Sequence, residues 1–459
     1  MSTLTSARDT APGEPATIGA STGGLTGLWP MTRLALRRDR IWWPAWIVFI
    51  CLQVLAIASA YESLYPTPES RLGLGTTMGQ NTSLRALYGP VFDLTTAGGF
   101  TAWRIGGFAA AVIGLMSLLA VIRHTRAEEE AGRLELVRSG VVGRHAPLAA
   151  ALLVTIGANV VLAVIVVVGL IIESLPVSGA VALGLGFLGC GTVFAGLGVV
   201  TAQISEDARP ARGMAASVLG AAYLLRAVGD STDTATWLSW LSPVGWVQQM
   251  RAFASERWWV LLLPVVVGVG LIALAVTLEG RRDFGAGLRP SPLGPARASA
   301  GLSTAGALAW RLQRGSWLAW TIGIAIFAGA LGSVANGVLD IFKGNAQLEA
   351  IIQRIGGTQS LIDAFFAAIL PLLATVGTIH SVQAMLRLRS EEIETRVEQV
   401  LGTAVTRTRV MGSHLVHAVA SPLILMTVVG LSAGGAYAAS VHDGSKVWSV
   451  LGGSLVLVP

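Results

Sequence analysis

The chain has 459 residues, of which 53% are hydrophobic and only 13% charged, with a mean hydropathy of +0.66. Soluble domains carry about 25% charged residues, so this composition excludes an ordinary soluble enzyme or binding module and points to lipid. The net charge of +6 does not imply nucleic acid, because the arginines are concentrated in alternate loops and sparse in the others.

In chain order, residues 1–30 are rich in Ser, Thr, Gly and Ala, lack an apolar signal-peptide core, and read as a disordered tail. A bilayer core needs about 20 apolar residues per helix. Six spans are predicted in a first half, 31–280, at 41–61, 103–122, 146–172, 180–203, 213–229 and 258–278. A linker over 281–315 follows, with Arg281-Arg282-Asp283 and prolines 290, 292 and 295. A second half, 316–459, holds spans at 316–338, 364–386 and 413–437, and a further one begins near Val447. That last run is shorter than a span, so the second repeat is expected to be incomplete through truncation. The runs are continuous and rich in Ala, Leu, Val and Gly, which favours helices over barrel strands. Arginines crowd the segments before span one and after spans two, four, six and eight, which predicts a multi-pass membrane protein with a cytoplasmic N-terminus.

The sequence repeats itself. Arg126-Ala-Glu-Glu-Glu-Ala-Gly-Arg-Leu-Glu-Leu-Val137 aligns without a gap on Arg389-Ser-Glu-Glu-Ile-Glu-Thr-Arg-Val-Glu-Gln-Val400 at a shift of 263, and the register continues to Arg144 and Arg407. Arg40-Ile-Trp-Trp-Pro-Ala-Trp46 aligns on Arg314-Gly-Ser-Trp-Leu-Ala-Trp320 at a shift of 274, so the loop after span one is 11 residues longer in the first half. Both matches fall at equivalent places in two parallel repeats. The expected fold is an all-α polytopic membrane protein made of two parallel six-helix repeats.

The segment 126–138 and its copy at 389–401 predict short amphipathic helices. Glu129 with Arg133, and Glu392 with Arg396, stand at i,i+4 in the favourable order. Leu134 with Val137, and Val397 with Val400, form narrow apolar stripes. The pattern Glu-x-x-Gly-x-Leu-Glu followed by Arg, here Glu129, Gly132, Leu134, Glu135 and Arg144, resembles the coupling helix of ABC-2-type exporter permeases (the type V exporter architecture). The second copy keeps Glu392, Val397, Glu398 and Arg407, with Thr395 in place of the glycine, and Val141 and Ala404 stand where the family often has proline. Tyr223-Leu-Leu-Arg-Ala-Val-Gly-Asp230 and Trp237-Leu-Ser-Trp-Leu-Ser-Pro-Val-Gly-Trp246 resemble actinobacterial exporters of tetronasin and polyketide antibiotics. The resemblance covers nearly the whole chain. It implies that Glu128, Glu129, Gly132, Arg133, Leu134, Glu135 and Arg144, with Glu391, Glu392, Arg396, Val397, Glu398 and Arg407, couple to two copies of an ATP-binding subunit. It also implies that Arg226, Asp230, Trp237, Trp240 and Trp246 contribute an outer gate.

The chain has no Gly-x-x-x-x-Gly-Lys-[Ser/Thr], and its lysines, Lys343 and Lys446, follow no glycine-rich loop. No cofactor is expected on this chain, and ATP with magnesium is expected on the partner. Ionisable groups within the spans are few. Arg226 is expected to snorkel outward or to pair with Asp230, and His380 to be a hydrogen-bonded packing residue. His414 and His417 lack a third ligand for a metal. The segment 231–257, with its Ser-Pro break, reads as an interfacial or re-entrant element. The reading is therefore a transport subunit without catalytic residues, exporting hydrophobic or amphiphilic small molecules. The alternative is an ion-coupled secondary transporter, which would need intramembrane carboxylates that this sequence scarcely offers.

Overall fold

The computed structural model describes residues 24–134, 140, 142–283, 285–290, 294, 296–335 and 357–458, without the side chains of 76, 77, 80, 300 and 357–361. The described regular structure is helical, and the only β-type pairing among these residues is an isolated bridge between Ser205 and Arg289. The helices are α1 Leu28–Arg38, α2 Trp42–Leu64, α3 Pro68–Gln80, α4 Thr82–Tyr88, α5 Ala97–His124 and α6 Arg126–Glu130. Then come α7 Ala146–Ile172, α8 Val177–Ile204, α9 Ala208–Ser231, α10 Trp237–Trp240, α11 Pro243–Gln249 and α12 Leu262–Arg281. The rest are α13 Ala305–Ala335, α14 Gly357–Ile393, α15 Arg396–Leu401, α16 Arg407–Val441 and α17 Ser445–Val456.

Among the described residues, eight helical stretches are long and apolar enough to cross a membrane: α2, α5 with α6, α7, α8, α12 with the turn before it, α13, α14 and α16. Two of the ten expected spans are not among them. The fifth lies in α9, a helix of 24 residues, about 36 Å long, but Arg209, Arg212, Arg226 and Asp230 dilute its apolar character. The tenth is α17, only 12 residues long. Residues 305–315, expected as linker, belong to α13. The expected tail ends sooner as well. Gly24 and Thr26 accept backbone bonds from His145 and Gly143, and α1 begins at Leu28 with Trp29, Leu34 and Leu36 exposed beside Arg33, Arg37 and Arg38.

Each half has its own core. In the first, α5 and α8 are the most buried helices, and residues such as Ile113, Leu118, Phe187 and Phe194 lie at its centre. In the second, α13, α14, α16 and α17 enclose Ile324, Phe366, Leu370, Leu425, Val429 and Tyr437. The longer first-half loop folds into α3 and α4, which pack on Tyr61, Phe100 and Trp103, and Val334 of α13 joins that cluster. Small residues set the close helix contacts, as in other membrane bundles. At Gly332 in α13, an added Cβ would lie 2.1 Å from the backbone oxygen of Ala433 in α16.

That contact gives a direct test. Gly332→Ala should separate α13 from α16 and destabilise the protein by about 1–3 kcal/mol, the usual range for overpacking. Gly323→Ala on the same helix, whose added Cβ meets nothing within 4 Å, should hold or raise the thermal midpoint in detergent, since Ala favours a helix interior over Gly.

Candidate functional site: two elbows, an outer knot and a cavity

On the arginine-rich face, α5 leaves the bundle and bends. After the short α6, Gly132 takes a left-handed backbone (φ 69°), and the chain resumes helical geometry at Arg133 and Leu134. In the second half α14 ends at Ile393, Thr395 is left-handed (φ 57°), and α15 begins at Arg396. At the shift of 263, Thr395 stands where Gly132 stands, so the turn is kept although the glycine is not.

Both turns are closed by the same bond pattern. The Nε and Nη2 of Arg133 donate to Glu128 at 2.8 and 2.9 Å. Those of Arg396 donate to Glu391 at 2.7 and 3.0 Å. These bidentate contacts hold each arginine's pKa above its ordinary value. The expected i,i+4 partners were Glu129 and Glu392. The left-handed residue breaks the helix, and the arginine swings back to the glutamate five residues earlier.

The first elbow is anchored into its own half. Glu128 also pairs with Arg38 at the end of α1. Glu129 takes both its oxygens to Arg282, at 2.7 and 2.9 Å, and pairs with Arg126. Glu130 accepts from the Ala208 backbone N–H at 2.9 Å, at the first turn of α9. The fully buried Arg126 donates to the carbonyls of Ser205 and Ala286 at 2.6 and 2.8 Å. Arg144 donates to the backbone of Arg282 at 3.0 Å and to that of Glu279, and Leu134 is buried. Glu135 and Val137 lie outside the described residues, as does Val141.

The second elbow is more open. Arg389 and Glu392 are exposed and 3.6 Å apart, and Ile393 is 68% exposed between Glu392 and Glu394. Glu398 and Arg407 are also exposed. The predicted apolar stripe faces inward, where Val397 and Val400 line a cleft of about 240 Å³ with Leu308, Leu312 and His414.

On the opposite face, Arg226 does not snorkel. Its side chain is fully buried, 3.5 Å from Asp230. It donates to Gln248 at 3.0 Å and to the carbonyls of Ala86 and Leu87 at 2.8 and 2.9 Å. Asp230 in turn accepts from Ser239 at 2.6 Å. The tryptophan segment forms α10 and α11, and α11 is buried against α5 and α8, as a re-entrant element would be. Trp246 is buried and donates to the Trp240 carbonyl at 2.6 Å. Trp240 stacks on Trp259 at 5.4 Å, while Trp237 is 61% exposed. Arg226 thus ties α4, α9 and α11 into one knot. Sequence reasoning missed Gln248, whose amide also donates to the Tyr88 carbonyl.

Between α9, α13 and α14 lies a cavity of about 600 Å³, lined by Arg209, Gln313, Ser316, His380 and Arg387 among others. His380 bonds Ser421 and packs edge-on against Trp317. His414 bonds Gln313 at 3.0 Å, whereas His417 stacks on Trp310.

A family model described as the C-terminal domain of the multidrug efflux system permease Rv1217c matches residues 30–278 and 302–459. The chain belongs to this family. It is 39% identical, over 438 residues, to the multidrug efflux system permease protein Rv1217c of Mycobacterium tuberculosis (strain ATCC 25618 / H37Rv), a match that covers 95% of this chain and 79% of that protein. The permease's cavity, the elbow segments 126–134 and 389–401 and the knot around Arg226 all lie within the matched residues.

Two predictions follow from these contacts. Thr is strained in a left-handed conformation by roughly 1–2 kcal/mol, so Thr395→Gly should raise the thermal midpoint, whereas Gly132→Val should lower it by a similar free energy. At the knot, Arg226→Met should destabilise by about 3–5 kcal/mol, because it leaves Asp230 buried and unpaired. Arg226→Met combined with Asp230→Leu should recover part of that loss in the same melting assay.

Proposed function

We propose that this permease is the membrane-spanning subunit of an ATP-driven exporter of hydrophobic or amphiphilic compounds, antibiotics and drugs among them. Two copies of a separate soluble ATPase, which hold ATP and magnesium, power it. The repeated elbow carries this reading. Two left-handed turns, each closed by the same bidentate Arg–Glu bond, stand at equivalent ends of α5 and α14, where a pair of related subunits would need matching handles. These 459 residues contain no phosphate-binding loop, which favours a separate subunit for hydrolysis, and membership of the efflux-permease family supports export.

In this reading the arginine-rich face, with both elbows and the N-terminus, is cytoplasmic in a bacterial plasma membrane. The coupling residues are Glu128, Glu129, Gly132, Arg133, Leu134, Glu135 and Arg144 in one elbow. In the other they are Glu391, Glu392, Arg396, Val397, Glu398 and Arg407. The contact groups would differ between the elbows. Most carboxylates of the first are bonded within the chain, so it moves as one piece with α1, α9 and the linker. The second presents Glu392, Ile393, Glu394 and Glu398 outward. Movement of the elbows would rock the halves about their helices, and the knot at Arg226 and Asp230, with Trp237, Trp240 and Trp246, would act at the outer end.

The test is co-expression with a candidate soluble ATPase, a protein carrying Walker motifs encoded beside this gene. The two should co-purify with ATPase activity. Ile393→Asp combined with Glu398→Lys, both exposed changes, should preserve the melting temperature yet reduce recovered ATPase by at least about tenfold. Full assembly in that double variant would remove the second elbow from the coupling role. Failure of the unaltered chain to bind any such ATPase would overturn the reading as a whole.

A further inference from the structure

The cavity beside α14 has an internal control in the other half. In the two registers, Gln313 stands where Asp39 stands, and Arg387 where His124 stands. In the first half, the buried Asp39 carboxylate meets His124 at 2.6 Å and pairs with Arg123. In the second, the acid is replaced by an amide and the histidine by an arginine. The carboxylate nearest in sequence, Glu391, is held by Arg387 at 2.6 Å and Arg396 at 2.7 Å. Arg209 of α9 brings a second guanidinium to the cavity and is exposed, without a hydrogen bond or ion pair among the described residues. No Asp or Glu is among the residues lining it.

Two polar atoms of the lining are buried without a hydrogen-bond partner among the described residues: Oε1 of Gln313, a residue only 3% exposed, and Nε of Arg387. Such groups are rare in folded proteins and call for an explanation, an absent ligand being one. They are also chemically distinct, one an acceptor and one a charged donor. From Leu386, which lines the cavity, the exposed apolar side chains of Val382 and Ile379 continue along one face of α14.

We infer that this cavity binds the oxyanionic head of an amphiphile, a carboxylate or phosphate that also carries an amide N–H or hydroxyl. Arg209 and Arg387 donate to the oxyanion, Gln313 accepts from the N–H or hydroxyl, and the apolar chain lies along α14. This rests on the transport reading above and adds a substrate class to it.

The experiment uses the full chain in nanodiscs of neutral phosphatidylcholine, with binding read by calorimetry and by the fluorescence of nearby tryptophans. The probes are N-dodecanoylglycine, its methyl ester and dodecyltrimethylammonium. The acylglycine should bind at least about tenfold tighter than the ester, as expected for charge-assisted hydrogen bonds, and the ammonium should not compete. Arg209→Glu removes no hydrogen bond or ion pair among the described residues, so it should preserve the melting temperature. It should weaken acylglycine binding at least about tenfold and admit the ammonium. Gln313→Leu should bring the acylglycine down to the affinity of dodecanoate, which lacks the N–H. Repeating the titration in phosphatidylglycerol nanodiscs separates the sources. Competition identifies a lipid head as occupant, and its absence identifies a free amphiphile. Equal binding of the three probes, or an unchanged preference in Arg209→Glu, overturns the inference. Because no ATPase is present, that outcome leaves subunit coupling untouched, and loss of coupling would leave this binding unchanged.

Discussion

The turn that closes each elbow depends on one residue with positive φ and one arginine reaching back across it. A helix leaving the bundle keeps its direction as long as its i→i−4 bonds continue. Gly132 and Thr395 end that ladder, and the guanidinium of the next residue fixes the new direction by gripping a carboxylate five residues back. Arg133 and Arg396 are about half exposed, so each pair contributes only about 0–1 kcal/mol as a surface salt bridge. Its importance is geometric, because two parallel bonds fix the plane of the guanidinium and hence the angle of the elbow. In the first half the rest of the arginine-rich face is arranged around that angle. Glu128 meets α1, Glu129 meets Arg282 after α12, and Glu130 meets the first turn of α9.

Much of this was legible in the sequence, and the parts that were not have specific causes. Hydropathy located the long helices because their lipid-facing surfaces must be apolar whatever they pack against. It also located α9, at 213–229, although that helix is less apolar than the eight, because Arg226 and Asp230 satisfy each other inside the protein and the helix need not be apolar. The repeat identified both elbows, but their pairing was read on a straight helix, which puts Glu129 and Glu392 opposite the arginines. Gly132 hinted at a bend. Thr395 concealed its equivalent, since a β-branched residue gives no sign of a left-handed turn. The signal that could have corrected this was alignment itself, because Glu128 and Arg133 are matched at 391 and 396.

Within the bundle, polar groups follow the same rule in both halves. Ser117 meets Asn159 at 2.9 Å, and His380, which stands at the position of Ser117, meets Ser421. Water is scarce at such depths, so a polar side chain needs a partner on a neighbouring helix. The contacts link α5 to α7 and α14 to α16, the corresponding helices of the two repeats. Arg226 obeys the rule with a charge, and its hydrogen bonds to two backbone carbonyls and Gln248 explain how a guanidinium is tolerated without exposure.

Fusion of two repeats in one chain permits what a symmetric dimer cannot have. Two identical subunits related by a two-fold axis present the same groups twice, so a carboxylate that neutralises one site neutralises the other. Here Asp39 neutralises its surroundings in one half, while Gln313, its counterpart, cannot. The elbows diverge in the same way, since Arg126 is buried among carbonyls and Arg389, at the matching position, is exposed. The backbone turn is common to both because it depends on φ and on one Arg–Glu pair. The charge around it varies because only side chains must change. One repeat can therefore be fastened to its own chain while the other keeps a cavity lined by Arg209 and Arg387 and an exposed acidic elbow.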